Sequence, residues 1–382
     1  MKLVVIASRI PFPLDKGDKL RLFHQLESLN KHFEICLICL TDQKATELPQ
    51  SLVEITKEIH VIQLSKWRML FNLAGTVFTQ TPFQVAYFFQ RKAKQRVDKI
   101  INQFQPQHIF CQLIRTAPYS IDLFNIHKSI DFMDALSKAA ERRFNTSHGI
   151  SKLFWKEEWM RTKNYELKCH LYFQNHFIIS KNDLSFINFP PSPETIVLPN
   201  GAPENELALA EAVKNTDVLF VGNMSYPPNQ KAAEHLYEIH LQLSSDISFQ
   251  IAGVNPSVKL LKYSSHSFNV TGFVSNINQC YVSAKIFVAP MTIGAGMQNK
   301  ILEAMAARLP VITTSLAAKA FQNIEESAMI IEDDLAKYPA IIKDYLSSDS
   351  KRINDGSMNL NYVKKFYDWD IVNDILIQRI KK

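Results

Sequence analysis

Residues 289–315 read APMTIGAGMQNKILEAMAARLPVITTS, and this run contains residue types suited to holding an anion. Gly294 and Gly296 allow a loop to approach a ligand closely, because a residue without Cβ leaves room beside the backbone. The pattern predicts a helix from about Met297, whose first turn offers N–H groups and the positive end of the helix dipole to a negative group. Lys300 adds a full positive charge in that turn, which suits a diphosphate. Glu303, one turn further, can accept hydrogen bonds from ribose hydroxyls. A solvated Lys–Glu pair on an ordinary amphipathic helix would have the same spacing, so spacing alone leaves both readings open.

Other reactive residue types carry less. Cys36 and Cys39 in EICLICL have CxxC spacing, but residues three apart on a strand point to opposite faces. With Cys111, Cys169 and Cys280, they read as reduced core thiols. His108, His127, His148 and His170 are dispersed without paired ligand spacing, so they read as structural and no metal is expected.

The elements that must position the glycine-lysine segment alternate strand and helix. KLVVIAS, a Pro/Gly loop, the helix LRLFHQLESLNKH and the strand FEICLICLT open a parallel sheet, with further strands predicted at 59–64, 107–112, 128–132 and 176–180. Residues 151–175 read as a helix. VLPNGAP at 197–203 marks a boundary. Beyond it TDVLFVG, ISFQIAG, FNVTGFV, IFVAP and PVITTS alternate with helical segments, implying a second parallel sheet covered on both faces. The organisation predicted is an α/β domain over 1–198, a second over 199–361, and a last helix, 362–382, packing back on the first. Six of the ten glycines, Gly201, Gly222, Gly253, Gly272, Gly294 and Gly296, fall in one stretch. Several end strands, where parallel sheets place ligand loops.

At 46% hydrophobic and 21% charged residues, two domains can each bury a core. The opening MKLVVIASRIPFP lacks a small-residue cleavage site and reads as a buried strand. No stretch reaches the roughly eighteen uncharged apolar residues that a membrane span needs. Residues 1–200 hold 26 Lys and Arg against 18 Asp and Glu, and the remainder 17 against 19, so basic charge concentrates in the first half. That half could meet an anionic membrane or phosphorylated acceptors; nucleic acid is disfavoured without a recognition motif. In SKWRMLFNLAGTVF, 65–78, Lys66 and Arg68 flank Trp67, Met69, Leu70 and Phe71, as an interfacial helix or a core helix would have them. The expected location is cytoplasmic, with peripheral contact at the inner face of the cytoplasmic membrane.

The 289–315 run resembles the donor-binding motif of glycosyltransferase family 4 and its relatives, matched here by Leu302, Glu303, Ala304, Met305, Ala306, Pro310, Val311 and Ile312. LFVGNMSYPPNQKA resembles the strand and loop that open the family's donor domain. Asn223 stands there in place of a common arginine, and Lys231 is a candidate substitute. VTGFVSN matches the loop that cradles the nucleotide base, through Gly272 and Phe273. IPFPLDKGDKLRLFHQLESL resembles the N-terminal loop, where Gly17 would face donor phosphates and Lys16, Lys19 and Arg21 would add charge. CQLIRTAPY and SIDFMDALS resemble a narrower bacterial subgroup associated with polysaccharide assembly.

The resemblance implies a GT-B architecture, two Rossmann-like domains with parallel sheets facing a central cleft. It implies sugar transfer from a nucleotide-diphosphate donor to a glycan or lipid-linked acceptor, with retention and without metal or cofactor. Lys300 and Glu303 would be catalytic. The donor would also touch Gly17, Gly222, Asn223, Gly272, Phe273, Gly294, Ala295, Gly296 and Met297. Arg21, Arg115, Asp131 and Asp134 would lie on the acceptor side, although Asp131 could equally cap a turn. Ala295 stands where many relatives have an earlier glutamate, and Arg308 where glycine follows the helix; the missing glutamate and Asn223 leave open a catalytically inactive carbohydrate- or nucleotide-binding partner subunit. A nicotinamide-dependent dehydrogenase is excluded, since neither opening strand is followed by GxGxxG.

Overall fold

The structure, a computed structural model, describes residues 1–43, 48–76, 79–187, 189–190, 192–202, 213–294 and 296–382. The chain divides into two compact units, Met1–Pro199 with Val372–Lys382, and Asn200–Ile371.

In the first unit, apolar runs such as KLVVIA and EICLICLT become strands buried on both faces. The strands are β1 (Lys2–Ala7), β2 (Glu34–Thr41), β3 (Glu58–Gln63), β4 (His108–Gln112), β5 (His127–Met133), β6 (Asn175–Ile178) and β7 (Thr195–Val197). They form one parallel sheet in the order β3-β2-β1-β4-β5-β6-β7. Side-chain alternation sorts β1 and β2 between two cores: Val4, Ile6, Cys36 and Ile38 pack on one face, Leu3, Val5, Leu37 and Cys39 on the other. The two cysteines of the CxxC spacing thus sit on opposite faces. Burial pushes both thiols up to about 12.

The helix Gly149–Tyr172 supplies carboxylates to the starts of two others. Glu158 accepts from the Phe83 and Gln84 N–H groups that begin the helix Phe83–Phe88, at 2.6 and 3.3 Å. Glu166 Oε1 accepts from Ser137 N–H in the first turn of Leu136–Thr146, at 3.0 Å. Each bond satisfies a donor that a helix start leaves without an intrahelical partner.

The second unit holds β8 (Thr216–Val221), β9 (Phe249–Ala252), β10 (Phe268–Gly272), β11 (Ala284–Ala289), β12 (Val311–Thr313) and β13 (Ile330–Ile331). They form a parallel sheet ordered β10-β9-β8-β11-β12-β13. Where the chain enters this unit, Ala202 bridges Asp368 and its N–H donates to the Tyr367 carbonyl at 2.7 Å. Gly201 is required beside them, because a Cβ there would lie 2.3 Å from the Trp369 ring.

The C-terminal expectation needs correction. One helix ends at Phe366 and another runs Trp369–Lys381. Buried Tyr362, Val363 and Tyr367 precede Val372 and belong to the second unit. Val372, Leu376, Ile377 and Ile380 complete a core face of the first.

Candidate active site

In the second sheet β8 and β11 are neighbours, and the strand order runs outward from them in opposite directions. Such a switch point opens a crevice at the C-terminal strand ends, where parallel sheets bind ligands. Two glycines bring backbone close there. A Cβ on Gly222, after β8, would fall 2.7 Å from the Asn229 side-chain nitrogen. Gly253, after β9, has φ +137°, and its Cβ would overlap the Gly222 carbonyl oxygen at 1.9 Å. Asn229 belongs to the helix Pro227–His240 and is 5% exposed. Its Nδ2 donates to the Asn223 carbonyl at 3.0 Å, and its Oδ1 accepts from Lys300 Nζ.

Lys300 lies in the first turn of the helix Asn299–Ala306, its ammonium 5.0 Å from the centre of the Phe220 ring. Burial lowers its pKa to about 8, opposed by the charge of Glu303. Glu303 Oε2 accepts at 2.7 Å from the hydroxyl of fully buried Tyr281, on the helix Ile277–Ser283. Burial raises the Glu303 pKa; the Tyr281 hydrogen bond and Lys300 oppose the rise. This is not a solvated pair: each charged group is fixed by a polar neighbour from another helix.

The loop before Lys300 turns through Gly294 at φ +134° and Gly296 at φ +71°, conformations that favour glycine. Thr292 Oγ1 lies 3.2 Å from His235 Nε2, tying that loop to the helix Pro227–His240. Gly272 closes β10 at φ +69°, with Phe273 beyond it 75% exposed. A fixed ammonium, a helix start and a carboxylate thus follow β11, and an uncovered aromatic ring follows β10 in the same sheet. Together they can hold an anion, a hydroxyl pair and a planar group.

Residues 215–347 match the family described as Glycosyl transferases group 1. The protein is a glycosyltransferase carrying a group 1 domain. Across its length it is similar to the "Uncharacterized 44.6 kDa protein in cps region" of Klebsiella pneumoniae, 23% identical with 96% of each chain covered. Among solved structures it is similar to Anabaena HepE in complex with UDP-glucose, 12% identical over 100% of both chains with a TM-score of 0.70. WaaG, a glycosyltransferase involved in lipopolysaccharide biosynthesis, is 12% identical over 99% of both chains with a TM-score of 0.68. The two-unit architecture of this glycosyltransferase is the GT-B fold.

Within the group 1 domain several expectations change. The Asn223 side chain is occupied locally, accepting from Ser225 N–H at 3.0 Å and Ser225 Oγ at 2.8 Å. Lys231 runs along its helix toward Glu234, at 3.9 Å, with its side chain half exposed. The Met297 side chain is buried, so it anchors the loop from beneath. Arg308 stays left-handed at φ +58°. Ala295 lies outside the described residues. Asn229 and Tyr281, the partners of Lys300 and Glu303, carry no spacing signal, because each contact joins separate helices.

The transferase's first unit overturns two acceptor-side assignments. Arg21 and Asp131 are fully buried and paired at 2.6 Å. Arg21 also donates to the Pro199 and Leu198 carbonyls, each at 2.9 Å, and Asp131 accepts from Gln25 Nε2 at 3.0 Å and Met133 N–H at 2.9 Å. Side chains sealed in this network hold the unit together and cannot touch an acceptor. Arg115 and Asp134 are only partly buried. Burial and the charge of Asp183 raise the Asp134 pKa to about 6. Gly17, from the donor prediction, begins the helix Gly17–Asn30 of this unit. Cys36, Glu58 and His60 offer ligand atoms within 4.8 Å of one another, but the thiol is held protonated and the other two bond each other at 3.0 Å.

Proposed function

We propose that the protein transfers a sugar from a nucleotide-diphosphate donor to a glycan or lipid-linked acceptor, with retention and without a metal ion. The observation that carries this reading is the pairing of Lys300 with Asn229 and of Glu303 with Tyr281 at the sheet's switch point. In transfer the bond from the anomeric carbon to the diphosphate breaks and its electron pair leaves with the phosphate. The acceptor hydroxyl oxygen bonds to that carbon, and its proton passes to an oxygen of the departing diphosphate. Negative charge grows on the leaving diphosphate, where Lys300 and the first-turn N–H groups of its helix would stabilise it. Glu303 would accept from ribose hydroxyls, and a base would cover the exposed Phe273 ring. Retention, metal independence and these residue roles follow the family resemblance.

The UDP-glucose complex of a structural relative makes UDP-sugars the first donors to test. The cps-region relative favours a setting in bacterial polysaccharide assembly. Contact with an anionic membrane is favoured by the helix Lys66–Gly75, which exposes Trp67 and Phe71 beside Lys66 and Arg68; residues 77–78 of the predicted segment lie outside the described residues. A melting series with nucleotide sugars tests the donor reading, since ligand at 100-fold over its Kd adds about 2.7 kcal/mol. Product analysis with the stabilising donor then tests transfer and anomeric outcome. A panel in which no nucleotide sugar raises the melting temperature would overturn the reading.

A further inference from the structure

The first unit contains a cavity of about 370 Å³, within the roughly 300–1,000 Å³ of small-molecule sites. Leu73, Phe83, Phe88, Leu136, Phe154 and Trp155 form its apolar walls, with Phe83 and Phe154 stacked at 4.5 Å. Two guanidinium groups stand among them, Arg115 beside the Phe88 ring at 5.4 Å and Arg143 over Trp155 at 4.6 Å. Arg115 Nε is buried without a hydrogen-bond partner among the described residues. Burial and the charge of Arg9 lower its pKa. The carboxylate lining the cavity, Glu158, is committed to the Phe83 and Gln84 N–H groups.

The surface beside the cavity is apolar as well. Trp67, Leu70 and Phe71 are exposed on one helix, and Ile150, Leu153 and Phe154 on another, each set at i, i+3, i+4 spacing. The same two helices supply Leu73 and Phe154 to the cavity wall. Exposed apolar stripes of this kind mark interaction surfaces.

We propose that this cavity is a subsite for an amphiphilic phosphate, its alkyl or prenyl chain between the aromatic walls and its phosphate on Arg115 and Arg143. Guanidinium groups take phosphate oxygens bidentately. An inorganic phosphate would leave the walls wet, and a neutral chain would leave both cations unpaired. The proposal rests on the reading that the first unit takes the acceptor, and its test omits the sugar donor, so failure of transfer and failure of this subsite are separable.

Farnesyl phosphate is titrated into the full chain while tryptophan fluorescence is followed, with farnesol and inorganic phosphate as comparators. Farnesyl phosphate should bind at least about tenfold tighter than farnesol, about 1.4 kcal/mol, and Trp155→Phe should remove the signal. Arg143→Gln, at an exposed position, should erase the advantage of the phosphate while leaving melting unchanged. Leu73→Gln should weaken both chain ligands. Equal binding of farnesol and farnesyl phosphate, an unchanged Arg143→Gln titration, a signal surviving in Trp155→Phe, or inorganic phosphate competing as well as the ester would overturn the proposal.

Discussion

The Tyr281 hydroxyl donates to Glu303 Oε2 at 2.7 Å from a ring with no exposed surface, so this carboxylate is a fold contact as well as the proposed donor contact. Its alternative acceptor, the Lys300 carbonyl, lies at 3.4 Å, too far to compensate. Glu303→Ala should therefore cost about 1–3 kcal/mol of stability through the stranded hydroxyl, and about 1.5–3 kcal/mol of donor affinity through lost charged hydrogen bonds. Adding Tyr281→Phe should restore stability but not donor binding. Denaturant titrations and donor calorimetry on the four proteins of this cycle check it; wild-type values for Glu303→Ala in both would refute the assignment.

Lys300→Ala should lower kcat more than it weakens ground-state donor binding, because leaving-group charge grows toward the transition state. In the free wild-type enzyme the ammonium, held down to about 8, loses its charge as pH rises through that value. An alkaline fall in kcat/KM near pH 8 is expected, and it should vanish from the residual activity of Lys300→Ala. Weakened donor affinity with intact kcat would leave Lys300 a binding residue only.

Burial raises the Glu166 pKa to about 7, above its ordinary 4.5, and its Oε2 has no partner among the described residues. Between those values the folded state binds more protons than the unfolded state, so stability falls as pH rises from about 4.5 through about 7. Glu166→Gln keeps an acceptor for Ser137 N–H and removes the ionisation. Its melting temperature should exceed wild type at pH 8 and converge with it near pH 5; parallel melting curves across that range would contradict this.

Arg308 adopts a left-handed conformation directly after the Lys300 helix, which costs a non-glycine residue about 1–2 kcal/mol. Arg308→Gly relieves that and gives back part through the freer unfolded chain. A net gain of about 0.5–1 kcal/mol in denaturant titration is expected, with donor affinity unchanged. A destabilised variant would show that the arginine side chain contributes contacts outweighing the strain.

Co-sedimentation with vesicles of phosphatidylglycerol and phosphatidylcholine tests the helix Lys66–Gly75. Each basic residue near an anionic surface contributes about 1 kcal/mol and is screened by salt. Binding should fade with ionic strength and drop in Lys66→Glu/Arg68→Glu. Sedimentation indifferent to both reversals would remove this helix from the interface.

Long strands were legible because burial on both faces writes them as unbroken apolar runs, as in β1, β2, β8 and β11. β7 and β13, with three and two residues, are too short for a pattern. The break between Phe366 and Trp369 was hidden because apolar spacing continues through it. Lys300 and Glu303 were marked by their place at a glycine-preceded helix start, whereas Asn229 and Tyr281 reach them from distant sequence. Arg21 and Asp131 misled for the same reason. They lie 110 residues apart, and nothing local shows that one neutralises the other.

The first unit is interrupted: Val372, Leu376, Ile377 and Ile380 close a core that begins at Leu3, with the whole second unit inserted between. A ribosome that has made only the first 199 residues has therefore built a sheet whose face with Leu3, Val5 and Leu37 lacks part of its cover. Domains ordinarily fold from the N-terminus during synthesis, but here the N-terminal unit lacks part of its core until residues 372–380 have been made. The second unit is thus made whole before the first can close its core, and removing residues 372–382 should destabilise the first unit while leaving the second intact.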